Sequence, residues 1–391
     1  MYMCQIKNET NVMHKTVTVL GAGLIGSAII RDLSDGSLLV RAVDASQEVL
    51  DRLSGASGVE THRVDVTRRD DLARVTDGSD LVINAVPGFM GYATLESLID
   101  LGHDVVDISF FPEDAFDLDD KAQKAGVTAV VDCGVAPGLC NMQAGYAETE
   151  FDRLESYLCL VGGLPVERRY PFEYKAGFSP IDVIEEYTRT ARYVEHGNVV
   201  YRDALTDIEL VDIPRVGTLE AFNTDGLRTL MRTLRAPDMK EKTLRHPGHA
   251  ALMRVFRDAG FFSNEPLDVD GIPVRPLDVT MRLLFNSWKL EPGDEDYTVM
   301  RVEIVGTDGD ACMRRTFDLL DRYDQESGIH SMARTTGYTC TAAARLVLDG
   351  SFSRKGICPP EFVGRTPGCY QRVVAMLGDR GIVILERDEP A

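Results

Sequence analysis

Residues 16–29 read TVTVLGAGLIGSAI. The β-forming run from Thr16 to Leu20 predicts a strand. Gly21, Gly23 and Gly26 follow at G-x-G-x-x-G spacing, and the apolar periodicity beyond them predicts a helix over about Leu24–Leu33. Strand, tight turn and helix start, in that order, are the setting in which this glycine pattern binds a dinucleotide. Gly21 permits the turn, Gly23 lets a pyrophosphate approach the backbone, and Gly26 lets the helix lie close on the strand. The unpaired N–H groups and the positive end of the helix dipole then face the phosphates. Ala22, Leu24 and Ile25 therefore join the three glycines as cofactor-binding candidates. Asp44 ends the next apolar run, LLVRAVD, about 20 residues on, where a carboxylate accepts hydrogen bonds from the adenosine ribose. Ala45 and Ser46 follow it, with no arginine directly after to meet a 2′-phosphate. The expected cofactor is NAD rather than NADP.

Outward from this unit, strands and helices alternate. SQEVLDRLSG reads as a helix, VETHRVDV as a strand, RRDDLARVTDG as a helix and DLVINAV as a strand. MGYATLESLIDLG, DVVDIS, DLDDKAQKAG and VTAVVDCG continue the rhythm. Such alternation predicts an α/β fold with a doubly wound parallel sheet, a Rossmann domain over 1–138. In these sheets the ligand lies beyond the carboxyl ends of the strands. The turns at Asp65 and Val66, the loop Asn84, Ala85, Val86 and Pro87, the Asp107 turn, and Gly134 and Pro137 of the Cys133–Gly138 loop should therefore line one crevice.

From Arg153 the rhythm changes. LESYLCLVGGLP, YTVMRVEIVGT and CMRRTFDLLDR read as long strands, with helices DVIEEYTRTARYVEHG (182–197) and HAALMRVFRDAG (249–260) between them. This predicts an inserted α+β domain over 139–332, built on an antiparallel sheet. TTGYTCTAAARLVLDG is a helix stopped by Gly350, and GIVILER a terminal strand; the tail 333–391 should return to the first domain.

The chain has 391 residues, enough for two domains each with a core. Its 42 basic and 62 acidic residues give a net charge of −20, which repels nucleic acid and anionic membranes. The charge reads as solubility, as in a saline setting, and mildly favours a cationic substrate. MYMCQIKNETNVMHK lacks the apolar segment of a secretory signal, and no apolar run reaches the roughly 18–20 residues of a membrane span. A cytoplasmic protein is expected. Eight cysteines show no C-x-x-C pair, so free thiols are expected, and Cys133 with Cys140 has no matching pair to hold a metal.

Seven segments in order, LGAGLIG (20–26), DCGVAPG (132–138), LVGGLP (160–165), FEYKAGFSP (172–180), TLEAFNTDG (218–226), KTLRHPGHA (242–250) and MARTTGYT (332–339), resemble the saccharopine dehydrogenase-like family. The resemblance covers essentially the whole chain. It implies a nicotinamide dinucleotide held between the Rossmann and inserted domains, and a homodimer through the second-domain sheet. The saccharopine reductase branch carries an acid before the proline of the GVAPG-like loop, a cysteine before GGLP and a clamping arginine in the TLEAFNTDG-like loop. Here these positions are Ala136, Val161 and Thr224. Those departures argue against a dicarboxylate adduct and make the chain look like L-lysine 6-dehydrogenase, which oxidises the ε-amine of lysine to the semialdehyde and ammonia.

Amine oxidation requires a base, because only the neutral amine has a lone pair to push hydride from carbon. His249 and His246 are the candidates near neutral pKa, with His249 preferred because it matches the lysine-dehydrogenase pattern. Arg245 could clamp the α-carboxylate. Glu173 and Tyr174 could orient the amine, and Glu220 and Asp225 could accept the α-ammonium. Phe178, Phe222 and Thr224 complete the substrate set. Thr335, Thr336 and Tyr338 begin the returning helix, where capping explains the threonines, and that end could close over the nicotinamide. A saccharopine- or carboxynorspermidine-type dehydrogenase acting on a secondary amine is the competing enzyme reading. An NAD-binding sensor without catalysis is the competing class.

Overall fold

The computed structural model describes residues 15–176, 180–291 and 293–391; residues 1–14 and Phe178 lie outside the described residues. Strands β1 Lys15–Leu20, β2 Leu38–Asp44, β3 Val59–Arg63, β4 Leu81–Asn84, β5 Val105–Asp107 and β6 Thr128–Val130 form a parallel sheet in the order β3-β2-β1-β4-β5-β6. The central strands are apolar almost throughout because helices cover both faces; Val17, Val19, Leu81 and Ile83 are fully buried. The order reverses between β1 and β4, so a crevice opens where the chain leaves these two strands.

The second sheet is built from β7 Arg153–Pro165, β8 Ala191–Glu195, β9 Asn198–Arg202, β10 Glu209–Ile213, β11 Gly217–Asn223 and β12 Asp238–Arg245. After a separate hairpin, β13 Leu267–Val269 with β14 Ile272–Val274, it is completed by the long β15 Asp296–Asp308 and β16 Ala311–Arg322. Its path is β10-β11-β12-β7-β15-β16, with the β8–β9 hairpin joined to β12 through Val194 and Met239. The expected antiparallel sheet is in fact mixed. β12 runs parallel to β7 because the long connection between them works as a crossover, whereas the other neighbours run antiparallel.

The helix expected over 182–197 ends at Thr188, and its second half is the strand β8. His196 and Gly197, both with φ positive, make a two-residue turn between Glu195 and Asn198. That turn matches the right-handed twist of a hairpin and fixes β8 and β9 as a pair.

The tail divides between the two sheets. The helix Ser331–Leu348 lies on the helix Leu24–Leu33, with Gly337 at the crossing facing Ile29 and Arg345 bonded to Asp32 at 3.0 Å. β17 Gly356–Cys358 then extends the first sheet as a parallel neighbour of β6. β18 Ile384–Pro390 does not follow it. It pairs antiparallel with the free edge of β16, from Met313↔Pro390 to Leu319↔Ile384. An edge strand as long as β16 offers a row of unpaired N–H and C=O groups, and the tail satisfies them. Among the described residues, no helix is long and apolar enough to cross a membrane.

Candidate active site

The glycine loop is shaped by close approach. Gly21 has φ +91°, and a Cβ there would overlap the carbonyl oxygen of Ala85. A Cβ on Gly26 would overlap the Gly21 carbonyl oxygen, whereas one on Gly23 would meet nothing within 4 Å. Gly23 therefore faces open space at the start of the ten-residue helix Leu24–Leu33, whose first turn has no side-chain cap. Backbone donors at a helix start beside open space are what a pyrophosphate requires, so the loop fits a dinucleotide.

The cradle opens into a cavity of about 600 Å³ between the carboxyl edge of the first sheet and the face of the second. Gly21, Gly23, Leu24, Ile25, Gly26, Asp44, Ala85, Val86, Pro87, Gly134 and Pro137 all line it. Ala22 is buried beneath, and its N–H donates to Asp44 Oδ2 at 2.8 Å. Asp44 Oδ1 accepts from Ser46 N, also at 2.8 Å. The β2–β3 register places Arg63 opposite Asp44, with its Nε donating to the Ala45 carbonyl. A basic group thus reaches the ribose end from the neighbouring strand, where a scan along the chain beyond Asp44 does not see it.

Four of the expected cofactor residues stand apart. Asp65 is exposed, and its carboxylate, held low by Thr67, serves its own turn. Val66 packs beneath as a partly buried apolar residue. Asn84 and Asp107 turn inward: Asn84 Nδ2 donates to Asp107 Oδ2 at 2.6 Å, and both are fully buried. Burial pushes the Asp107 carboxyl up to about 7 against the bonds from Ser109 and Asn84. The pair ties β4 to β5 behind the crevice.

On the substrate side, Tyr174, Thr224, Asp225 and Arg245 line the cavity. Arg245 is buried on β12. Its Nη1 donates to the Leu244 carbonyl at 2.9 Å, its Nη2 donates to Glu186 at 2.7 Å, and its guanidinium lies over the Tyr174 ring. Its Nε has no partner. Burial holds Glu186 above the usual carboxylate range despite this contact. Asp225 is gripped by Arg192 at 2.9 and 2.8 Å, so its capacity for an α-ammonium is already partly used.

His249 is not at the cavity. Its Nδ1 faces the Phe172 carbonyl at 3.0 Å and must donate there, which leaves Nε2 to accept from the Tyr187 hydroxyl at 2.9 Å. Burial, aided by Arg245, pushes its pKa down to about 3. A neutral ring with both nitrogens engaged is an anchor for the aromatic cluster of Tyr174, Tyr187 and Trp288, and it has no free nitrogen for a substrate proton. His246 is buried near Tyr297, outside the cavity lining. Glu220 accepts from Gly248 N at 2.8 Å and Ala250 N at 2.5 Å, so it holds the start of the helix His249–Asp258. Phe222 belongs to the core, and Glu173 is paired with Arg168 at the surface. At the returning helix, the start is capped by Asp296, which accepts from Ser331 N and Met332 N. Thr335 bonds the Ser331 carbonyl one turn back, Tyr338 lies under Arg334, and Thr336 faces the cavity.

Sequence reading also missed Asp132, two residues past the end of β6, which has φ +51° and lines the cavity. Arg228, itself at φ +50°, meets both carboxylate oxygens at 3.1 Å and lies over the Phe110 ring. This buried pair joins the two lobes across the cavity wall.

Comparison with known proteins adds a lineage to this geometry. A family profile described as "Saccharopine dehydrogenase C-terminal domain" matches residues 134–382, and one described as "Saccharopine dehydrogenase NADP binding domain" matches residues 17–130. Alpha-aminoadipic semialdehyde synthase of Rattus norvegicus is 23% identical over 88% of this chain, and the chain spans 45% of that protein, less than half its length. Carboxynorspermidine synthase of Vibrio cholerae is 23% identical, with 90% of this chain and 93% of the relative covered. For the NADP-dependent, L-glutamate-forming saccharopine dehydrogenase of Saccharomyces cerevisiae, identity is 23% with 89% and 94% covered. A solved apo structure of the yeast enzyme superposes with a TM-score of 0.78 at 21% identity, covering 96% of this chain and all of that one, a likeness of fold.

Proposed function

From the premise that the chain belongs to the saccharopine dehydrogenase family, we propose that it is a nicotinamide-dependent dehydrogenase of an amine carbon and that its substrate carries one α-carboxylate. The finer reading is oxidation of L-lysine at its ε-carbon to the semialdehyde, with release of ammonia. One observation carries it. Ala136, Val161 and Thr224, the positions at which the chain departs from the saccharopine reductases, all line the same cavity as Arg245. The cavity thus keeps a buried arginine with a free donor for one carboxylate and has apolar or hydroxyl side chains at the three altered positions.

The bound nicotinamide supplies a hydride acceptor. The chain supplies the rest. Arg245 holds the carboxylate end by its free N–H face. Val86, Pro87, Val161 and Met332 give apolar walls that keep water from the reacting carbon and favour the neutral amine over the ammonium. Arg245→Lys retains the charge beside Glu186 but loses the planar fork. It is expected to raise KM for the amine substrate by about 10–100-fold, the loss of one charge-assisted hydrogen bond, with a smaller change in kcat. Steady-state kinetics with saturating cofactor check this.

For the cofactor we propose NAD, supported by Asp44 at the ribose position; Arg63 beside it is the group through which NADP would bind instead. Asp44→Ala should raise KM for NAD by about tenfold, the loss of roughly one hydrogen bond to a charged group. Equal kcat/KM for NAD and NADP in the parent chain would overturn the preference. A second reading, a secondary amine of the carboxynorspermidine type, is favoured by the acids Glu185, Glu186 and Asp225 along one wall, which suit a polyamine arm. NADH and NADPH formation from lysine, saccharopine and carboxynorspermidine separates the readings: ammonia from lysine supports the first, and oxidation of a secondary amine alone supports the second.

A further inference from the structure

Glu241 stands in the middle of β12, and strand alternation puts it on the same face as Thr243 and Arg245. All three line the cavity. The residue is 5% exposed. Among the described residues no N–H or O–H group donates to its carboxyl, in contrast to Asp132, Glu186 and Asp225, each of which meets an arginine. Its seat is specific. A Cβ on Gly226 would overlap the Glu241 carboxyl carbon and both oxygens, so the loop after β11 is a glycine where the acid needs the room.

The surroundings favour the protonated acid. Burial raises the carboxyl well above its ordinary range, Cys140, Asp225 and Glu186 add to the rise, and Arg228 opposes it. Cys159 and Tyr157 on β7 and Tyr193 on β8 also face it; Tyr157 and Tyr193 are raised chiefly by burial, and Cys159 by its hydrogen bond with Cys140 and then by burial. A buried carboxyl left without a partner costs stability. Raised carboxyls of this kind, open to a cavity, are characteristic of sites that move protons.

We propose that the Glu241 carboxylate takes a proton from the substrate's ammonium group and returns it to the departing nitrogen. The inference rests on the amine-dehydrogenase reading above. The N–H bond of the ammonium breaks and its proton passes to Glu241 Oε, leaving the neutral amine with its lone pair. The adjacent C–H bond then breaks, its electron pair leaves as hydride to the nicotinamide, and the nitrogen lone pair forms the C=N bond. For a primary amine, water adds to that carbon and releases one proton to solvent. As the C–N bond breaks, Glu241 gives its proton to the nitrogen, which leaves as ammonia; the hydroxyl oxygen's lone pair forms the C=O bond of the aldehyde and its proton passes to solvent. Arg245, four residues along the same strand face and about 13 Å away by strand rise, fixes the other end. The spacing leaves room for a chain of several methylenes.

The test compares the full-length parent, Glu241→Gln and Glu241→Asp by steady-state kinetics across pH, with NADH binding and thermal unfolding measured on each. In the parent, kcat/KM should rise with pH through the titration of Glu241, because the base must be ionised. E241Q should lose that acid limb and about 100-fold or more in kcat, within the usual range for a missing general base. Its KM should stay within threefold, NADH affinity should be unchanged, and the melting temperature should be equal or higher, since the amide is isosteric and uncharged. E241D withdraws the acid by one methylene and should lose about tenfold in kcat while keeping the limb. An active parent whose E241Q variant keeps kcat within threefold, or keeps the acid limb, overturns the inference alone. A parent that binds NADH but oxidises no amine overturns the dehydrogenase reading, and the inference with it.

Discussion

Arg228→Met is expected to lower the free energy of unfolding by about 3–5 kcal/mol, the usual cost of removing one partner from a buried ion pair. The side chains of Arg228 and Asp132 are 6% and 2% exposed and meet through two bonds of 3.1 Å. Without the arginine, the Asp132 carboxylate is left in a dry wall beside Cys133 and Phe110 with no donor in place of the guanidinium. The penalty lies in that stranded charge rather than in the lost attraction. The double variant Asp132→Asn/Arg228→Met should therefore recover most of the loss. Asparagine also tolerates the left-handed backbone at position 132. Chemical denaturation of the parent, the single and the double variant measures this. A single-variant loss below about 1 kcal/mol, the range of solvated surface pairs, would mean that water reaches the pair.

The second large effect concerns the glycine loop. Gly23→Ala and Gly26→Ala should each weaken NADH binding by about 100-fold, or about 2.7 kcal/mol, but by different routes. At Gly26 the added methyl meets the Gly21 carbonyl, and backbone against backbone has no flexible end to move aside. The helix must lift from the strand, so G26A should also lower the melting temperature. At Gly23 the methyl enters open space in the protein alone, so G23A should keep its stability and lose affinity only, because a pyrophosphate held by this loop would occupy that space. Titration calorimetry with thermal unfolding on both variants checks the contrast. Undiminished NADH affinity in G23A would remove the phosphate from this cradle.

The Rossmann sheet and its cofactor edge were legible because they rest on local chemistry. A strand, three glycines and an acid at fixed spacing need no distant partner to be recognised. Residues whose role depends on pairing across the fold were not legible. DMKEKTLR looks like any charged strand until its register beside β7 and the closeness of Gly226 turn Glu241 inward. Asp132 and Arg228 are 96 residues apart and carry no sequence signal of their bond. His249 had the opposite history. A histidine with a neutral pKa in a suggestive motif reads as a base, and only the Phe172 carbonyl and the Tyr187 hydroxyl show that both its nitrogens are occupied. The β8 strand hid inside a helical pattern, although the His196–Gly197 pair was an available turn signal.

The division of the tail between β17 and β18 has a consequence for biosynthesis. As the polypeptide emerges from the ribosome, the first sheet keeps β6 as an open edge until residues 356–358 appear, and the second keeps β16 open until residues 384–390 follow. The first lobe cannot finish folding until nearly all of the second has been made, and the second waits for the last strand of the chain. Between the completion of β16 at Arg322 and the arrival of β17 at Gly356 the nascent chain carries both unpaired strand edges at once, a state prone to wrong pairing with neighbouring chains. Demand for chaperone protection during translation should therefore concentrate on this interval and end when the last strand zips onto β16.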